Sequence, residues 1–174
     1  MASGLDLRQY QEDILARLEA VGKDSATISR SRLGVMVGGK RILISLEDVS
    51  EVIPLPEIFP APNTQSWFLG MANIRGNLYA ISDLAELMGL GAASKSQGAR
   101  VLLLSDDLLM QSGILVESLV GLRNIDQFKE EKLSIADNYC FKPYEYRDED
   151  NNVWLELDCQ MLVSSKDFMQ PYFV

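Results

Sequence analysis

Histidine is absent from this sequence of 174 residues, and the absence excludes more chemistry than any residue present supports. Ser-His-Asp and Cys-His catalysis, zinc hydrolase ligation and phosphohistidine relay all need an imidazole that titrates near neutrality or ligates through nitrogen. Cysteine is scarce: Cys140 and Cys159 are the only two, with neither the density of a disulfide scaffold nor a CxxC redox or zinc pattern, so both are expected as small buried or half-buried apolar groups. There is no apolar run of about 18 residues, so no membrane-spanning helix is expected. The opening stretch MASGLDLRQYQEDILARLEA is charged and amphipathic and lacks a signal-peptide core, which makes the cytoplasm the expected compartment. Positive charge is also short. Lys and Arg number 16 against 25 Asp and Glu, a formal charge of -9 that repels nucleic acid and anionic membranes and favours partners with basic or apolar surfaces.

What is there is the material of an ordinary globule, with 47% apolar and 24% charged residues and enough chain for one domain or two small lobes. The acidic residues cluster at Glu47-Asp48, Asp106-Asp107 and Asp148-Glu149-Asp150, positions that read as solvated turns rather than the paired acids of a glycosidase-like cleft. A small carboxylate-dependent enzyme stays as an alternative that would require a deep polar pocket holding two such acids.

Along the chain, Leu7, Tyr10, Ile14, Leu18 and Val21 recur at spacings of three and four, with Leu15 beside them, predicting one amphipathic helix ended by Gly22. Lys23 to Ser31 reads as a linker, so residues 1–31 form an N-terminal helix and linker, and that helix either packs back on its own body or reaches a partner. Leu33, Val35 and Val37 alternate, Gly38-Gly39 turns, and Ile42, Ile44 and Leu46 alternate again, which predicts a β-hairpin. Gly34 to Lys40 imitates the GxxxxGK of a P-loop, but Arg41 stands where Ser or Thr should hold magnesium, and strand follows where a phosphate-binding helix should begin. Val49, Glu51 and Ile53 continue in alternation. Pro54, Pro56, Pro60 and Pro62 then predict an extended apolar loop outside regular ladders.

The most informative stretch is Gly70 to Leu90, GMANIRGNLYAISDLAELMGL. Two apolar strands flank the turn Arg75-Gly76-Asn77, and a short helix follows, with Asp83 as its cap and Glu86 at capping-box spacing. Arg75 is the only cation in the stretch and marks an exposed rim, better suited to recognition than to catalysis. Gly91 to Gly98 reads as a loop or a seam between lobes. Beyond it, Val101 to Leu104 and Met110 to Val120 are expected as strands around the turn Asp106-Asp107, with Gly121 to Ile125 breaking away. Asp126 to Asp137 is expected as an exposed crossing with a helical turn. Tyr139 to Tyr146 and Val153 to Leu157 should pair across an acidic turn, and Asp158 should open a helix with Met161, Leu162, Ser165 and Phe168 on one face. Many short strands with frequent turns favour small barrels over a doubly wound sheet.

Val49-Ser50-Glu51-Val52, Phe68 through Asn77, Ile81-Ser82-Asp83-Leu84 and Met88-Gly89-Leu90 together resemble the signature of CheW-like chemosensory adaptor domains. Arg100 to Leu104, Gly113 to Leu122 and Trp154 to Asp158 are similar to the second half of that family, so the resemblance covers about Leu33 to Val163. It implies a mainly β fold of two SH3-like five-stranded barrel lobes with short helices, over 32–174. Approximate lobes fall at 32–90 and 98–157, strand exchange between them is possible, and a C-terminal helix begins at 158.

The resemblance also implies a non-enzymatic adaptor without cofactors. Such an adaptor bridges the regulatory domain of a CheA-type histidine kinase to the cytoplasmic tip of a methyl-accepting chemoreceptor. The family's Glu and Arg pair falls on Glu51 and Arg75, and the protein-interaction residues carried over are Glu51, Asn73, Arg75, Gly76, Asn77 and Asp83. Kinase binding would use the first lobe, and a receptor helix the groove between lobes. Ala72 in place of a β-branched residue, Glu117-Ser118 in place of an Asp-Xaa pair, and the leading amphipathic helix depart from the common pattern. The leading helix looks more like the adaptors of type IV pilus twitching-motility systems. The alternatives are a self-associating β-scaffold without kinase affinity and a regulatory domain cut from a kinase. The charged leading helix and the ending Gln170 to Val174 favour a free-standing adaptor over the latter.

Overall fold

In the computed structural model the described residues are 30–133 and 140–173, together with Ala16. The helix expected over Leu7 to Val21 otherwise lies outside them. The alternating stretches form the expected opening hairpin, β1 (Ser31–Val37) and β2 (Lys40–Ser45), in antiparallel register with Val37 opposite Lys40. Gly38 and Gly39 both take positive φ, 56° and 76°, as a tight two-residue turn demands. The P-loop imitation is therefore strand, turn and strand, with no helix N-terminus to receive phosphate.

A 3-10 turn at Leu46–Asp48 leads into β3 (Val49–Pro54). The proline-rich stretch that follows is irregular, as its prolines require, except that Phe59 exchanges two backbone hydrogen bonds with Met71, at 2.8 and 2.9 Å. β4 (Phe68–Ile74) and β5 (Asn77–Asp83) form the second hairpin, and a single helical turn spans Leu84–Leu87. β6 (Arg100–Leu104) and β7 (Ser112–Val116) are buried along their whole length.

The strand expected over Met110 to Val120 is two strands. β7 ends at Val116, and β8 (Ser118–Asn124) begins after Glu117 in the other sheet. Gly121 to Asn124 stay in β8, where Gly121 faces Gly34 and the register shifts by one residue before Leu119 meets Val35. The polar crossing contains a 3-10 turn, Ile125–Gln127, and an exposed strand β9 (Lys129–Lys132). β10 (Phe141–Arg147) and β11 (Val153–Leu157) pair as expected. The C-terminal helix is broken: Cys159–Ser164 and Lys166–Met169 are separate, because Ser165 is extended and its hydroxyl caps the second piece by accepting from Phe168 N–H at 3.3 Å. Met161 is half exposed as a result of its position on the outer face.

The strands make two sheets, ordered β8-β1-β2-β11-β10-β9 and β3-β6-β7-β5-β4. One lobe thus has six strands rather than five. Neither sheet is simply one half of the chain, since the opening hairpin joins β8 to β11 while β3 to β7 make the other sheet. Both lobes share one apolar core running through Ile42, Ile44, Val101, Ile114, Leu115 and Leu157. A smaller cluster gathers Leu43, Tyr146 and Trp154 on the far face of the six-stranded sheet.

Candidate docking site

The hairpin β4–β5 is closed by a two-residue loop in which Arg75 and Gly76 have φ of 51° and 86°. Glycine takes that conformation freely; arginine does not, so something must hold it there. The Asn73 side chain accepts the Gly76 N–H at 2.9 Å, and the Arg75 guanidinium donates to the Glu51 carboxylate, which raises the arginine's already high pKa. Arg75 remains 70% exposed and Glu51 29%. Asn73, Gly76, Asn77 and Leu78 extend this exposed rim.

Glu51 lies on β3 and Arg75 at the end of β4, the two outermost strands of the five-stranded sheet. Their contact means that the sheet curls until its opposite edges come within side-chain reach. The pair therefore links the two edge strands and braces the exposed loop at once.

Asp83 is not on this rim. It is 1% exposed, and its carboxylate accepts from Glu86 N–H at 3.2 Å and from Ala93 N–H at 2.8 Å. It ties the helical turn to the loop after it. The capping box is half formed, because the Asp83 N–H donates to the Trp67 carbonyl at 2.7 Å while Glu86 accepts from the Ser66 hydroxyl at 2.9 Å.

A cleft of about 980 Å³ opens between the lobes. Leu87, Met88 and Leu90 supply one wall and Phe141, Val153 and Leu155 the other, with Lys40, Arg41, Glu145 and Asp167 among its polar lining. The hairpin turn at Gly38 lies so close to Leu90 that an added Cβ would stand 2.6 Å from the leucine's own. No local sequence signal reveals this cleft, because its walls come from segments far apart in the chain, a helical turn and its loop on one side and β10 and β11 on the other.

Sequence reasoning also missed a buried polar cluster. Glu156, 1% exposed, accepts from Arg32 Nε at 2.6 Å, Lys142 Nζ at 3.0 Å and the Tyr146 hydroxyl at 3.1 Å. Arg32 is 124 positions away in sequence, which is why no motif shows the contact. Both cysteines are buried and free, as expected. Burial pushes the Cys140 thiol up to about 11, and Cys159, more deeply buried and beside Asp48, is raised further. Neither is a thiolate near neutral pH, so neither is poised as a nucleophile. Among the described residues no cluster of acids and cysteines could hold a metal ion.

A curled β-sheet with a braced, solvent-facing turn thus stands beside a second lobe, with a partly apolar cleft between them. The chain belongs to the CheW-like domain family, whose model matches residues 32–167. It is 29% identical over 129 residues to protein PilI of Pseudomonas aeruginosa, covering 73% of this chain and 71% of that one. Chemotaxis protein CheW of Thermotoga maritima is 18% identical over 131 residues, covering 75% of this chain and 85% of that one. Chemotaxis protein CheV3 of Helicobacter pylori is 24% identical over 82 residues, 47% of this chain and 26% of its own. The crystal structure of the scaffolding protein TtCheW from Thermoanaerobacter tengcongensis superposes with a TM-score of 0.67 at 18% identity, over 80% of this chain and 95% of that one, and shows the same fold. This is a non-enzymatic adaptor linking chemoreceptor-type signalling components.

Proposed function

We propose that the chain joins the regulatory domain of a CheA-type histidine kinase to the cytoplasmic tip of a methyl-accepting chemoreceptor, working in the cytoplasm in control of type IV pilus twitching motility. The observation that carries this reading is the exposed Asn73 to Asn77 turn, held in an unusual backbone conformation by Asn73 and Glu51. A preorganised loop loses little freedom on binding. In this reading Glu51, Asn73, Arg75, Gly76 and Asn77 form the kinase face, Asp83 at the far end of β5 anchors the helical turn that follows, and the cleft between lobes accepts a receptor helix along its apolar walls. The edge-to-edge Glu51–Arg75 contact supports an SH3-like curl for the five-stranded lobe. Similarity to PilI supports the pilus assignment. No helix among the described residues is long and apolar enough to cross a membrane.

Titration calorimetry against the regulatory domain of the host's CheA-type kinase tests the reading, with Arg75→Glu run alongside. Saturable micromolar binding by the parent chain, weakened at least about tenfold in the variant, is the expected result. Absence of binding by a folded parent chain would overturn it and leave a self-associating scaffold.

A further inference from the structure

Among the described residues two arginines are more than nine-tenths buried, Arg32 at 8% exposure and Arg100 at 7%. A charge taken out of water needs a counter-ion, and Arg32 has one in the Glu156 carboxylate at 2.6 Å. Arg100 has none: no carboxylate of the described residues forms an ion pair with it.

What Arg100 has is an anchor. It opens β6 between Pro54 of β3 and Val116 of β7, and its guanidinium curls back on the preceding loop, where Nη1 donates to the Gln97 carbonyl at 2.8 Å and to the Ala99 carbonyl at 2.7 Å. Both Nη1 hydrogens are thereby used. Nε and Nη2 bond nothing in the chain, and because no buried side-chain nitrogen or oxygen of the described residues lacks a partner, these two nitrogens reach the surface. They form the edge of the fork that meets two oxygens of one carboxylate or phosphate side by side. The fold thus holds the guanidinium by one nitrogen and leaves its bidentate edge open to solvent.

We infer that Arg100 is an oxyanion-binding site, which takes a carboxylate or a phosphate group on its Nε–Nη2 edge. Its surroundings suit a negative ligand. Leu87 to Ser105 contains Lys95 and Arg100 and no acid, in a chain of formal charge -9, and Lys95 is exposed on the same loop between exposed Ser94 and Ser96. That loop closes toward the arginine, with Ala99 N–H donating to the Ser96 carbonyl at 3.0 Å. Glu117 follows Val116, the strand partner of Arg100, but its carboxylate is engaged at the opening hairpin, where it accepts from Gly39 N–H at 3.4 Å. The low exposure of Arg100 limits the ligand to a small free anion or to an acidic group on the end of a side chain.

The Arg100 Nε–H signal in a proton–nitrogen correlation spectrum of the full chain reports on the site directly, and Arg100→Lys assigns that signal by its loss. Inorganic phosphate and sodium acetate are titrated separately, with ionic strength held constant by sodium chloride. At least one anion should move the Nε–H signal saturably and raise the thermal midpoint over the same concentrations. Arg100→Lys keeps the charge but loses the fork, so its midpoint should not respond in that way, and Lys95→Ala should weaken the parent affinity severalfold. Tighter binding of acetate assigns the edge to carboxylates, and tighter binding of phosphate to phosphate groups. Absence of a saturable shift with either anion would overturn the inference. A shift of the same size on Glu117→Gln with no anion added would also overturn it, by making Glu117 the counter-ion within the chain.

Discussion

Two carboxylate–guanidinium contacts in this molecule have the same chemistry and opposite settings. Arg32 and Glu156 meet at 2.6 Å inside the six-stranded lobe, their side chains 10% and 2% exposed, whereas Arg75 and Glu51 meet at the rim of the other lobe with 70% of the arginine in water. A buried pair is kept only where further hydrogen bonds satisfy the remaining oxygens, and Lys142 and Tyr146 do this for Glu156. An exposed pair is screened and weak, but its groups stay available to a partner. The buried contact fixes the fold, and the exposed one shapes a surface.

Removing the buried acid should have the largest effect. Glu156→Ala leaves Arg32 and Lys142 facing the position of a lost carboxylate, and breaking such a pair costs about 3–5 kcal/mol. In a chain of this size that lowers the thermal midpoint by roughly 10 °C. Calorimetric unfolding checks it, and a loss near zero would mean that the cluster relaxes into water. Arg75→Glu should do the reverse, weakening kinase binding at least about tenfold while moving the thermal midpoint by less than about 2 °C. A matching loss of stability would make the Glu51–Arg75 contact structural and dissolve the contrast between the two lobes. Asn73→Ala is a smaller probe. It removes the acceptor for Gly76 N–H, costs about 0.5 kcal/mol at an exposed turn, and should weaken binding severalfold by loosening the loop rather than by losing a contact.

The two settings differ also in how far the sequence revealed them. The β4–β5 turn was legible because its determinants are local: strand alternation, Asn and Gly at the loop, and Asp83 three positions before Glu86. The family resemblance then paired Arg75 with Glu51, 24 positions away. The Glu156 cluster depends on β2 lying parallel to β11 and on β10 beside it, and nothing local specifies which strands share a sheet. The same reason hid the split at Glu117. Met110 to Val120 holds no proline to break it, and only tertiary pairing tells that β7 joins β5 and β6 while β8 joins β1. Asp83 was read correctly as a cap, yet its burial against Ala93 N–H came from the return of the chain ten residues later.

Asp148 lies between the two extremes and gives the finest test of the comparison. It stands in the acidic turn between β10 and β11, but its carboxylate accepts from the Trp154 indole N–H at 2.9 Å, and also from the Asn152 side chain and the backbone N–H groups of Asp150 and Asn152. These bonds, the indole's foremost, hold its pKa down at about 2 against an ordinary 3.8. A depressed carboxylate stabilises the fold fully above its unfolded pKa, and the contribution fades as pH falls through 3.8 toward 2. Asp148→Asn should therefore lower the thermal midpoint at neutral pH, and the gap from the parent chain should narrow below about pH 4 and close near pH 2. Trp154 fluorescence followed through thermal melts from pH 7 to pH 2 measures it at the residue concerned. A gap independent of pH would mean that the turn is held by its backbone alone, and that an acid at the surface contributes to this fold only when, like Glu156, it is taken out of water.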